Sequence, residues 1–509
     1  MIPSAVVVPY TGRPPVEWLK ASLAGWSQGG VRNVVLLGPA GAPRLTQDDI
    51  PVVPIATGLP FSGEAWQDAL ARVNKPIAIV INGDSGAMVD TDGIGRVART
   101  IADTGASLVY GHYLEAEDQG AGEHATIDYQ LGSLREGFDF GPALAVNMAT
   151  VRQVEQQYGP LAETSVAGWC DLRLRLSAVS LPIRIPEVLY SCRQLEHRPT
   201  GQQQFDYVDP RNRQAQIELE RIATDHLERI GARLTGEFEP VPRGRQDFPV
   251  EASVIIPVRN RAKTIADAVR SGLDQKTTFP HNVIVVDNHS TDGTTDILRA
   301  LAAGDARVVN LVPDATDLQI GGCWNLAVRS PQCGRIAAQL DSDDLYAGPA
   351  TLQTLVDKMN EGPYAMVVGS YRLVNFSLEE IPPGLIDHRE WTRGNGRNNL
   401  LRVNGLGAPR VFDTAILRAN PLPNVSYGED YAIGLRLSRQ YEIGRIFEPI
   451  YLCRRWEGNT DANLAPAGKN RNDTYKDRLR TLEILARQRM LAGSKSASQN
   501  PCGTGVSPV

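Results

Sequence analysis

Three carboxylates stand within four positions of this chain, at Asp341, Asp343 and Asp344, directly after the largely apolar run 336–340. The run predicts a short buried strand, so the acids would crowd at its tip. Crowded like charges raise the free energy unless a cation neutralises them, and an all-oxygen set suits a hard divalent ion, Mg²⁺ or Mn²⁺. An acidic turn that caps the following helix is the alternative interpretation.

A second pair of acids, Glu429 and Asp430, follows Gly428 where a helical pattern over residues 431–439 begins. Backbone N–H groups hold a carboxylate at a helix start, and the helix dipole there favours its ionised form. Such a carboxylate can take a proton from a hydroxyl nucleophile, as a general base does. It can equally serve only as a helix cap, and these two residues alone leave both interpretations open.

The elements that position these acids alternate between strand and helix through the C-terminal half. Buried-type strands are predicted over residues 253–258, 282–287 and 366–370, besides the one that ends at Asp341. The second of them delivers Asp287 at its tip. Alternation of this kind predicts a mostly parallel sheet covered by helices, with ligands bound at the carboxyl ends of the strands.

Four short motifs of this half occur in a fixed order. They are Ser-Val-Ile-Ile-Pro at 253–257, Val-Val-Asp-Asn-His-Ser-Thr-Asp-Gly-Thr at 285–294, Asp-Ser-Asp-Asp at 341–344 and Gly-Glu-Asp at 428–430. Together they resemble the family 2 glycosyltransferases, which have the GT-A fold. The resemblance covers roughly residues 253–459 and implies transfer of a sugar from a nucleotide donor, usually with inversion at the anomeric carbon.

The resemblance also implies roles for individual side chains. A nucleotide-sugar donor would be contacted by Pro257, Arg259, Asp287, Asn288, Asp341, Arg454 and Arg455. Mn²⁺ or Mg²⁺ would be bound by Asp343, with Asp344 close by. Asp430 would be the general base, with Glu429 beside it.

Three positions depart from the family pattern. Asn288 stands where many relatives carry a second acid, and Trp324 where an arginine is common. Leu452 occupies the glutamine position of the Gln-x-x-Arg-Trp signature of processive polysaccharide synthases. A processive synthase is therefore not expected.

The N-terminal half resembles the C-terminal half. Leu-Arg-Leu-Ser at 174–177 recurs 261 positions later at 435–438, and Glu187, Tyr190, Cys192 and Arg193 recur at the same spacing. We interpret the chain as a duplicated GT-A-like domain.

The first copy has lost most of the acids. Asn-Gly-Asp-Ser at 82–85 stands opposite 341–344, and Gly168-Trp169 stands opposite Glu429-Asp430. It is expected to be a scaffold or an acceptor-holding module, with Asp171 as the one acid that could restore a base.

The expected fold class is therefore α/β, with two tandem GT-A-like, Rossmann-like domains of mostly parallel sheet joined by a helical linker. Residues 1–195 form the degenerate domain, 196–250 the linker, 251–492 the catalytic domain and 493–509 a disordered tail. A helix is predicted within the linker, ending at Gly231.

Composition excludes several classes of function. The net charge of −6 provides no basic field for nucleic acid. No apolar run approaches 18 residues and the start lacks a basic signal-peptide region, which predicts a cytoplasmic protein without a transmembrane segment, although peripheral membrane contact is allowed. Six scattered cysteines predict neither a zinc site nor a disulfide framework.

The expected function is a metal-dependent inverting glycosyltransferase. It would move a sugar from a nucleotide-sugar donor, most commonly UDP-linked, to a hydroxyl of a glycan, lipid-linked or small-molecule acceptor, in glycan or polysaccharide synthesis. A sugar-phosphate nucleotidylyltransferase is one alternative, but residues 257–261 lack the glycines of its phosphate loop. A non-catalytic carbohydrate-binding protein is another.

Overall fold

The computed structural model describes residues 2–11, 16–40, 45–47, 50–117, 120–193, 212–242, 247–456 and 465–499. The chain divides into two compact units. Among the described residues, unit 1 contains those up to position 193 together with 212–233 and 465–499, and unit 2 contains those from 234 to 456.

Unit 1 is a mixed sheet with helices. Its strands are β1 (Ser4–Pro9), β2 (Val31–Gly38), β3 (Leu45–Gln47), β4 (Ile50–Ala56), β5 (Ile77–Ile81), β6 (Leu108–Glu117), β7 (Gly120–His124), β8 (Ala143–Asn147) and β9 (Ile183–Arg193). Its helices are α1 (Val16–Gln28), α2 (Gly63–Ala71), α3 (Thr91–Thr104), α4 (Met148–Tyr158), α5 (Gly168–Val179), α6 (Arg213–Arg229) and a long helix near the C-terminus, Pro466–Gln499.

The sheet of unit 1 has the strand order β3-β4-β2-β1-β5-β8-β6-β7, with β9 paired to β6. Strand β1 is parallel to both β2 and β5, whereas β8 is antiparallel to β5 and β6. The central strands are buried on both faces because helices cover them, which explains their continuous apolar sequences.

Unit 2 contains the strands β10 (Ala252–Val258), β11 (His281–Asp287), β12 (Val308–Leu311), β13 (Ile336–Gln339), β14 (Leu345–Tyr346), β15 (Tyr364–Val374), β16 (Glu380–Ile386), β17 (Arg410–Asp413) and β18 (Glu442–Arg454). Its helices are α7 (Ile265–Leu273), α8 (Thr294–Gly304), α9 (Ile320–Arg329), α10 (Thr351–Glu361), α11 (Gly396–Asn399), α12 (Thr414–Ala419) and α13 (Glu429–Gln440). The helix Pro466–Gln499 of unit 1 is α14.

The sheet of unit 2 follows the order β12-β11-β10-β13-β17-β15-β18-β14, with β16 paired to β15. Strands β12, β11, β10 and β13 are parallel neighbours, and β17 runs antiparallel between β13 and β15. Parallel strands end at one edge, so the residues after β10, β11 and β13 share that edge. Within the described residues, the order from β12 to β15 matches that from β4 to β6 in unit 1, and β18 pairs with β15 as β9 pairs with β6.

The expected α/β class with two Rossmann-like units is confirmed by these two sheets. Each sheet is mixed rather than parallel throughout. A strand antiparallel to both of its neighbours, β8 or β17, separates the parallel sets. Further antiparallel pairs are β3 with β4, β7 with β6, β14 with β18 and β16 with β15. Among the described residues, none of the helices has the length and apolar character needed to cross a bilayer.

The unit boundaries differ from those expected. Helix α6, placed in a linker by the sequence, belongs to unit 1 because Ile222 and Leu227 are buried there. Helix α14, placed in the second domain, also belongs to unit 1, where its Asp477 accepts hydrogen bonds from Ser133 (2.8 Å) and Arg135 (3.2 Å).

The expectation of a disordered tail over residues 493–509 is corrected for its first part. Residues 493–499 continue α14 as helix, whereas 500–509 lie outside the described residues. The linker positions 196–211 and 243–246 lie outside them as well.

Candidate active site

Asp341 lies two positions beyond Gln339, the last residue of β13, and the Gln339 amide holds it. Nε2 of Gln339 donates to both carboxylate oxygens of Asp341, at 2.9 and 3.0 Å, and the Asp341 backbone N–H donates to the Tyr451 hydroxyl at 3.0 Å. Burial raises the pKa of Asp341, as do Asp343 and Asp430, while Arg410 acts against that rise. The Gln339 amide therefore fixes the orientation of the Asp341 carboxylate, and the charges of Asp343 and Asp430 influence its pKa.

Asp343 faces an indole N–H group and a guanidinium group. Its Oδ2 accepts a hydrogen bond from Nε1 of Trp456 at 3.1 Å and lies 3.8 Å from Nε of Arg261. Its backbone carbonyl accepts from Nε of Arg454. The turn after β13 and the end of β18 are thereby tied together.

Asp344 is almost fully buried. Its Oδ1 accepts the backbone N–H of Arg454 at 2.8 Å. Burial and the charges of Asp341 and Asp343 raise the pKa of Asp344 well above its usual range. An added cation would relieve this crowding of negative charge.

The donor set fits a hard divalent ion that is shared with a ligand. Within the part of the chain that the structure describes, no three His, Cys, Asp or Glu side chains converge in a metal-binding arrangement. Mg²⁺ in particular is commonly bound through one or two carboxylates and completed by phosphate and water. Asp343 and Asp344 offer that partial set, and their assignment as metal ligands stays a prediction.

Asp430 lies in the first turn of α13, where Gly428 at φ 79° lets the chain enter the helix. Its Oδ2 accepts from the guanidinium of Arg410, and its Oδ1 accepts the Tyr431 N–H at 2.7 Å. Asp430 also acts electrostatically on Asp341. The structure therefore brings the helix-start acid and the strand-tip acids to the same edge of the sheet.

Glu429 points into a drier environment. Its side chain is buried, and among the described residues Oε2 has no hydrogen-bond partner. Burial, reinforced by Asp430, raises the pKa of Glu429 to about 8. The environment of Glu429 thus favours its neutral form, whereas the carboxylate of Asp430 faces the Arg410 guanidinium.

Two of the residues expected to contact the donor, Asp287 and Asn288, are engaged in local structure. Asp287 is 1% exposed; its oxygens accept the Ser290 N–H at 3.1 Å and the Thr295 hydroxyl at 2.5 Å. The Asn288 amide donates to the Leu318 carbonyl at 2.8 Å. Asp287 thus stabilises the turn into α8, and Asn288 ties the end of β11 to the loop before α9. The contact of either side chain with a nucleotide stays a prediction.

The other expected donor contacts lie around the same edge. Pro257 is half-buried in β10, and Arg259 is exposed just beyond it. The guanidinium of Arg454 is buried, 3.4 Å from Asp267 and 5.1 Å from the ring centre of Phe376. The backbone N–H of Arg455 donates to Val374 at 2.8 Å.

Sequence reasoning did not identify several residues of this site. They are Arg261, Gln339, Arg410, Tyr451 and Trp456, each of which contacts one of the acids or their anchors. One available signal was Gln339, a polar residue inside a buried strand. Trp456 is also the tryptophan of the partly matched Gln-x-x-Arg-Trp signature. Arg261, Arg410 and Tyr451 approach through tertiary contacts, which no local motif predicts.

The corresponding edge of unit 1 has a different arrangement. Asp84 accepts from the backbone N–H and the hydroxyl of Thr11, both at 2.8 Å. Asp171 is fully buried and paired with Arg175 (2.7 Å) and Arg229 (3.4 Å), so it stabilises α5 and α6.

Comparison with known proteins agrees with the residue pattern. Residues 253–425 match the model of the family described as glycosyl transferase family 2. The C-terminal half therefore contains a family 2 glycosyltransferase domain, as the four ordered motifs predicted.

Curated relatives match only in part. An uncharacterized glycosyltransferase of Rickettsia conorii is 28% identical over 224 residues, which is 42% of this chain and 34% of the relative. A putative teichuronic acid biosynthesis glycosyltransferase of Bacillus subtilis is 42% identical over 95 residues, 18% of this chain and 36% of the relative. The chain thus spans about a third of the length of the curated relatives it matches.

Among solved structures, S. aureus TarS 1-349 in complex with UDP-GlcNAc aligns with a TM-score of 0.37 at 23% identity. The alignment covers 48% of this chain and 71% of that one.

Proposed function

We propose that unit 2 is a metal-dependent, inverting glycosyltransferase that moves a sugar from a nucleotide-sugar donor to a hydroxyl acceptor. One observation carries this proposal. Asp341 lies close enough to both Asp343 and Asp430 for their charges to act on it, and Arg410, which donates to Asp430, also acts on Asp341.

On the donor side, Asp343 and Asp344 would hold the cation, Mn²⁺ or Mg²⁺. The cation would stabilise the negative charge that the diphosphate gains as the glycosidic bond breaks. Asp341, fixed by Gln339, would accept hydrogen bonds from hydroxyls of the donor. Arg454 and Arg455 would add positive charge near the diphosphate.

On the acceptor side, Asp430 would take the proton of the attacking hydroxyl. A positioned base of this kind contributes about 10²–10⁴-fold to the rate. Attack from the face opposite the leaving diphosphate would invert the anomeric carbon. Glu429, neutral at pH 7, would keep the acceptor side from accumulating a second negative charge.

Unit 1 would be a duplicated copy that has lost catalysis and serves as a scaffold or holds the acceptor. Three observations support a duplication: the shared strand order, the recurrence of Leu-Arg-Leu-Ser, and Tyr190 and Tyr451 at matching positions of β9 and β18. The engagement of Asp84 by Thr11 supports loss of a metal site.

The donor nucleotide, proposed as UDP, and the acceptor, a glycan, lipid-linked or small molecule, belong to the same proposal, as does a cytoplasmic location. A carbohydrate-binding protein would need neither a crowded acid cluster nor an Arg-paired helix-start acid. A nucleotidylyltransferase would need glycines after β10, where residues 257–261 have none.

The test is hydrolysis or transfer of nucleotide sugars with Mn²⁺, comparing wild type with Asp343→Ala and Asp430→Asn. Both variants should lose at least about 100-fold in turnover. Asp84→Ala is the matched control, since Asp84 stands opposite Asp343 in the repeat and should be dispensable. Unchanged turnover in either unit 2 variant would remove the role assigned to that residue.

A thermal-shift panel of UDP-, GDP- and dTDP-sugars with Mn²⁺ would identify the donor, because a ligand that binds the native state raises the melting temperature. The matching donor should stabilise wild type and not Asp343→Ala. A panel in which no nucleotide sugar stabilises the wild-type protein would count against the proposal.

A further inference from the structure

Gln339 has a buried side chain, and both its amide nitrogen and its amide oxygen are hydrogen-bonded. It is 1% exposed on β13, between Ala338 and Leu340, which are fully buried. Its amide nitrogen donates to both oxygens of Asp341, and its amide oxygen accepts the backbone N–H of Arg410 at 3.1 Å. The side chain therefore links the tip of β13 to the first residue of β17.

The strand register explains why these residues meet. Strands β13 and β17 are antiparallel, with Ala337 opposite Phe412 and Ala338 opposite Val411. The next pair in this register is Gln339 with Arg410. A shift of one residue would turn Gln339 to the other face of the sheet, so the register itself fixes this contact.

Arg410 continues the link to the acceptor side. Its guanidinium donates to Asp430, and Nη1 also donates to the Gly407 carbonyl at 3.1 Å. Burial lowers the pKa of Arg410, but the charges of Asp430 and Asp341 outweigh that effect and raise it. Arg410 is thus a permanent cation between two acids that would otherwise repel each other.

An apolar residue at position 339 would satisfy the core equally well. A buried amide is tolerated only when its polar atoms are hydrogen-bonded, and here those atoms serve two separate parts of the site. The polar residue in this strand is thus explained by what it orients and not by packing.

We propose that Gln339 and Arg410 are positioning residues that form one bridge, Asp341–Gln339–Arg410–Asp430, and hold the donor-side acid and the proposed base at a fixed separation. The inference rests on the proposed function, because it assigns Asp341 to the donor and Asp430 to the acceptor. Gln339 touches neither the diphosphate nor the attacking hydroxyl. Its effect passes through the two carboxylates.

The bridge acts on orientation and on charge. Gln339 fixes the backbone at Arg410, so the guanidinium reaches Asp430 from one direction only. The guanidinium donates to the Asp430 carboxylate, and a neighbouring cation of this kind favours the ionised carboxylate, which is the state that can accept a proton. Removing the cation should raise the pH at which Asp430 becomes protonated, and removing the amide should leave this charge in place but loosen the geometry.

The experiment measures donor hydrolysis with Mn²⁺ against pH for wild type, Gln339→Met, Arg410→Met and Arg410→Lys. Methionine keeps the length of glutamine without its hydrogen bonds. We expect Gln339→Met to lower kcat about 10-fold with the KM for donor within about twofold. We expect Arg410→Met to move the acidic limb of the kcat profile upward by about one pH unit, and Arg410→Lys to restore much of it.

Controls separate this effect from misfolding. Arg418→Lys changes an arginine that donates to the Val328 and Ser330 carbonyls, and Gln353→Met changes a glutamine on α10. Both should behave as wild type. The melting-temperature rise caused by UDP with Mn²⁺ should persist in Gln339→Met and in Arg410→Lys, which shows that the donor side is intact.

Two results would overturn the bridge while leaving the proposed function in place: an active wild type whose Gln339→Met variant keeps its kcat, or an Arg410→Met variant with an unshifted acidic limb. If Gln339→Met does not fold, the pH profiles of Arg410→Met and Arg410→Lys decide whether the bridge exists. A wild type that hydrolyses no donor of the panel would overturn the proposed function, and the bridge with it.

Discussion

The indole N–H of Trp456 donates to Oδ2 of Asp343 at 3.1 Å, across 113 positions of sequence. The Trp456 ring also lies 5.8 Å from the guanidinium carbon of Arg261 and packs edge-to-face on Phe376. The carboxylate proposed to hold the cation is therefore oriented by the residues that follow β18. Groups that orient a metal ligand in this way commonly control metal affinity.

Trp456→Phe should therefore weaken Mn²⁺ binding about 10-fold, because the ring remains but the N–H that fixes Asp343 is lost. Titration of Mn²⁺ in the presence of UDP measures this, with thermal shift or calorimetry as readout. Trp391→Phe is the matched control, since Trp391 packs against Arg445 instead. Equal Mn²⁺ affinity in the two variants would show that Trp456 only packs.

Glu429 should make stability depend on pH. Its folded-state pKa of about 8 exceeds its usual value of 4.5. The folded state therefore holds this proton more tightly than the unfolded state, and the stability it contributes is complete below pH 4.5 and lost as pH rises through 8. Glu429→Gln should be less sensitive over this window and more stable than wild type at pH 9, by roughly 2–4 kcal/mol.

The measurement is urea unfolding at a series of pH values, taken as the difference between wild type and Glu429→Gln so that other titrating groups cancel. A difference that does not grow between pH 5 and 9 would show that Glu429 is solvated like an ordinary surface acid.

His226, in unit 1, should also make stability depend on pH, but here stability is lost as the pH falls. Burial, assisted by Arg229 and Arg173, lowers the pKa of this histidine on α6 from 6.5 to about 3. The unfolded state then binds the proton more readily, so stability is full above pH 6.5 and falls as pH drops toward 3. Wild type should lose about 2 kcal/mol relative to His226→Gln between pH 8 and pH 5.

Acid unfolding curves of the two proteins decide this. The free energy of unfolding of the wild type should fall steadily on acidification. That of the glutamine variant should be lower at pH 8 and change less. If the stabilities of the two proteins changed in parallel with pH, His226 would take up its proton at the same pH in the native and unfolded states.

Gly321, in the first turn of α9, should tolerate no side chain. A Cβ there would lie 1.9 Å from the Pro423 carbonyl oxygen and 3.2 Å from Cβ of Glu429. Gly321→Ala should destabilise the protein by about 2 kcal/mol or more and displace the start of α13, with loss of turnover.

Gly304→Ala is the control for that substitution. Gly304 ends α8, and a Cβ there meets nothing within 4 Å. Alanine at this position should be neutral or stabilising by up to about 1 kcal/mol. Thermal unfolding of the two variants side by side tests the contrast, and an equally stable Gly321→Ala would refute the close approach.

The proposed duplication illustrates what a local sequence pattern can predict. Leu-Arg-Leu-Ser and the spaced Tyr and Cys residues indicated two related halves, and the strand orders agree with that interpretation. A further correspondence appears only in three dimensions: a Cβ on Gly63 would lie 1.9 Å from the Ala162 carbonyl oxygen, as one on Gly321 would from Pro423. A glycine by itself does not reveal which backbone passes close to it.

The unit boundaries show the limit of the same approach. Composition placed α6 in a linker and α14 with the second domain, because segments were assigned to their neighbours in sequence. Asp477 of α14 instead pairs with Ser133 and Arg135, more than 340 positions earlier. Buried charges must find partners wherever the fold supplies them, and sequence order carries no information on that.

The candidate acids could be inferred from local sequence alone, because strand tips and helix starts are local features: Asp341, Asp343 and Asp344 follow one apolar run, and Asp430 opens one helix. Only the tertiary structure decided that these acids share an edge, and that Gln339, Arg410 and Trp456 orient them. Those contacts depend on strand register and on side chains 20 to 113 positions apart, and such separations are set by the packing of the whole unit.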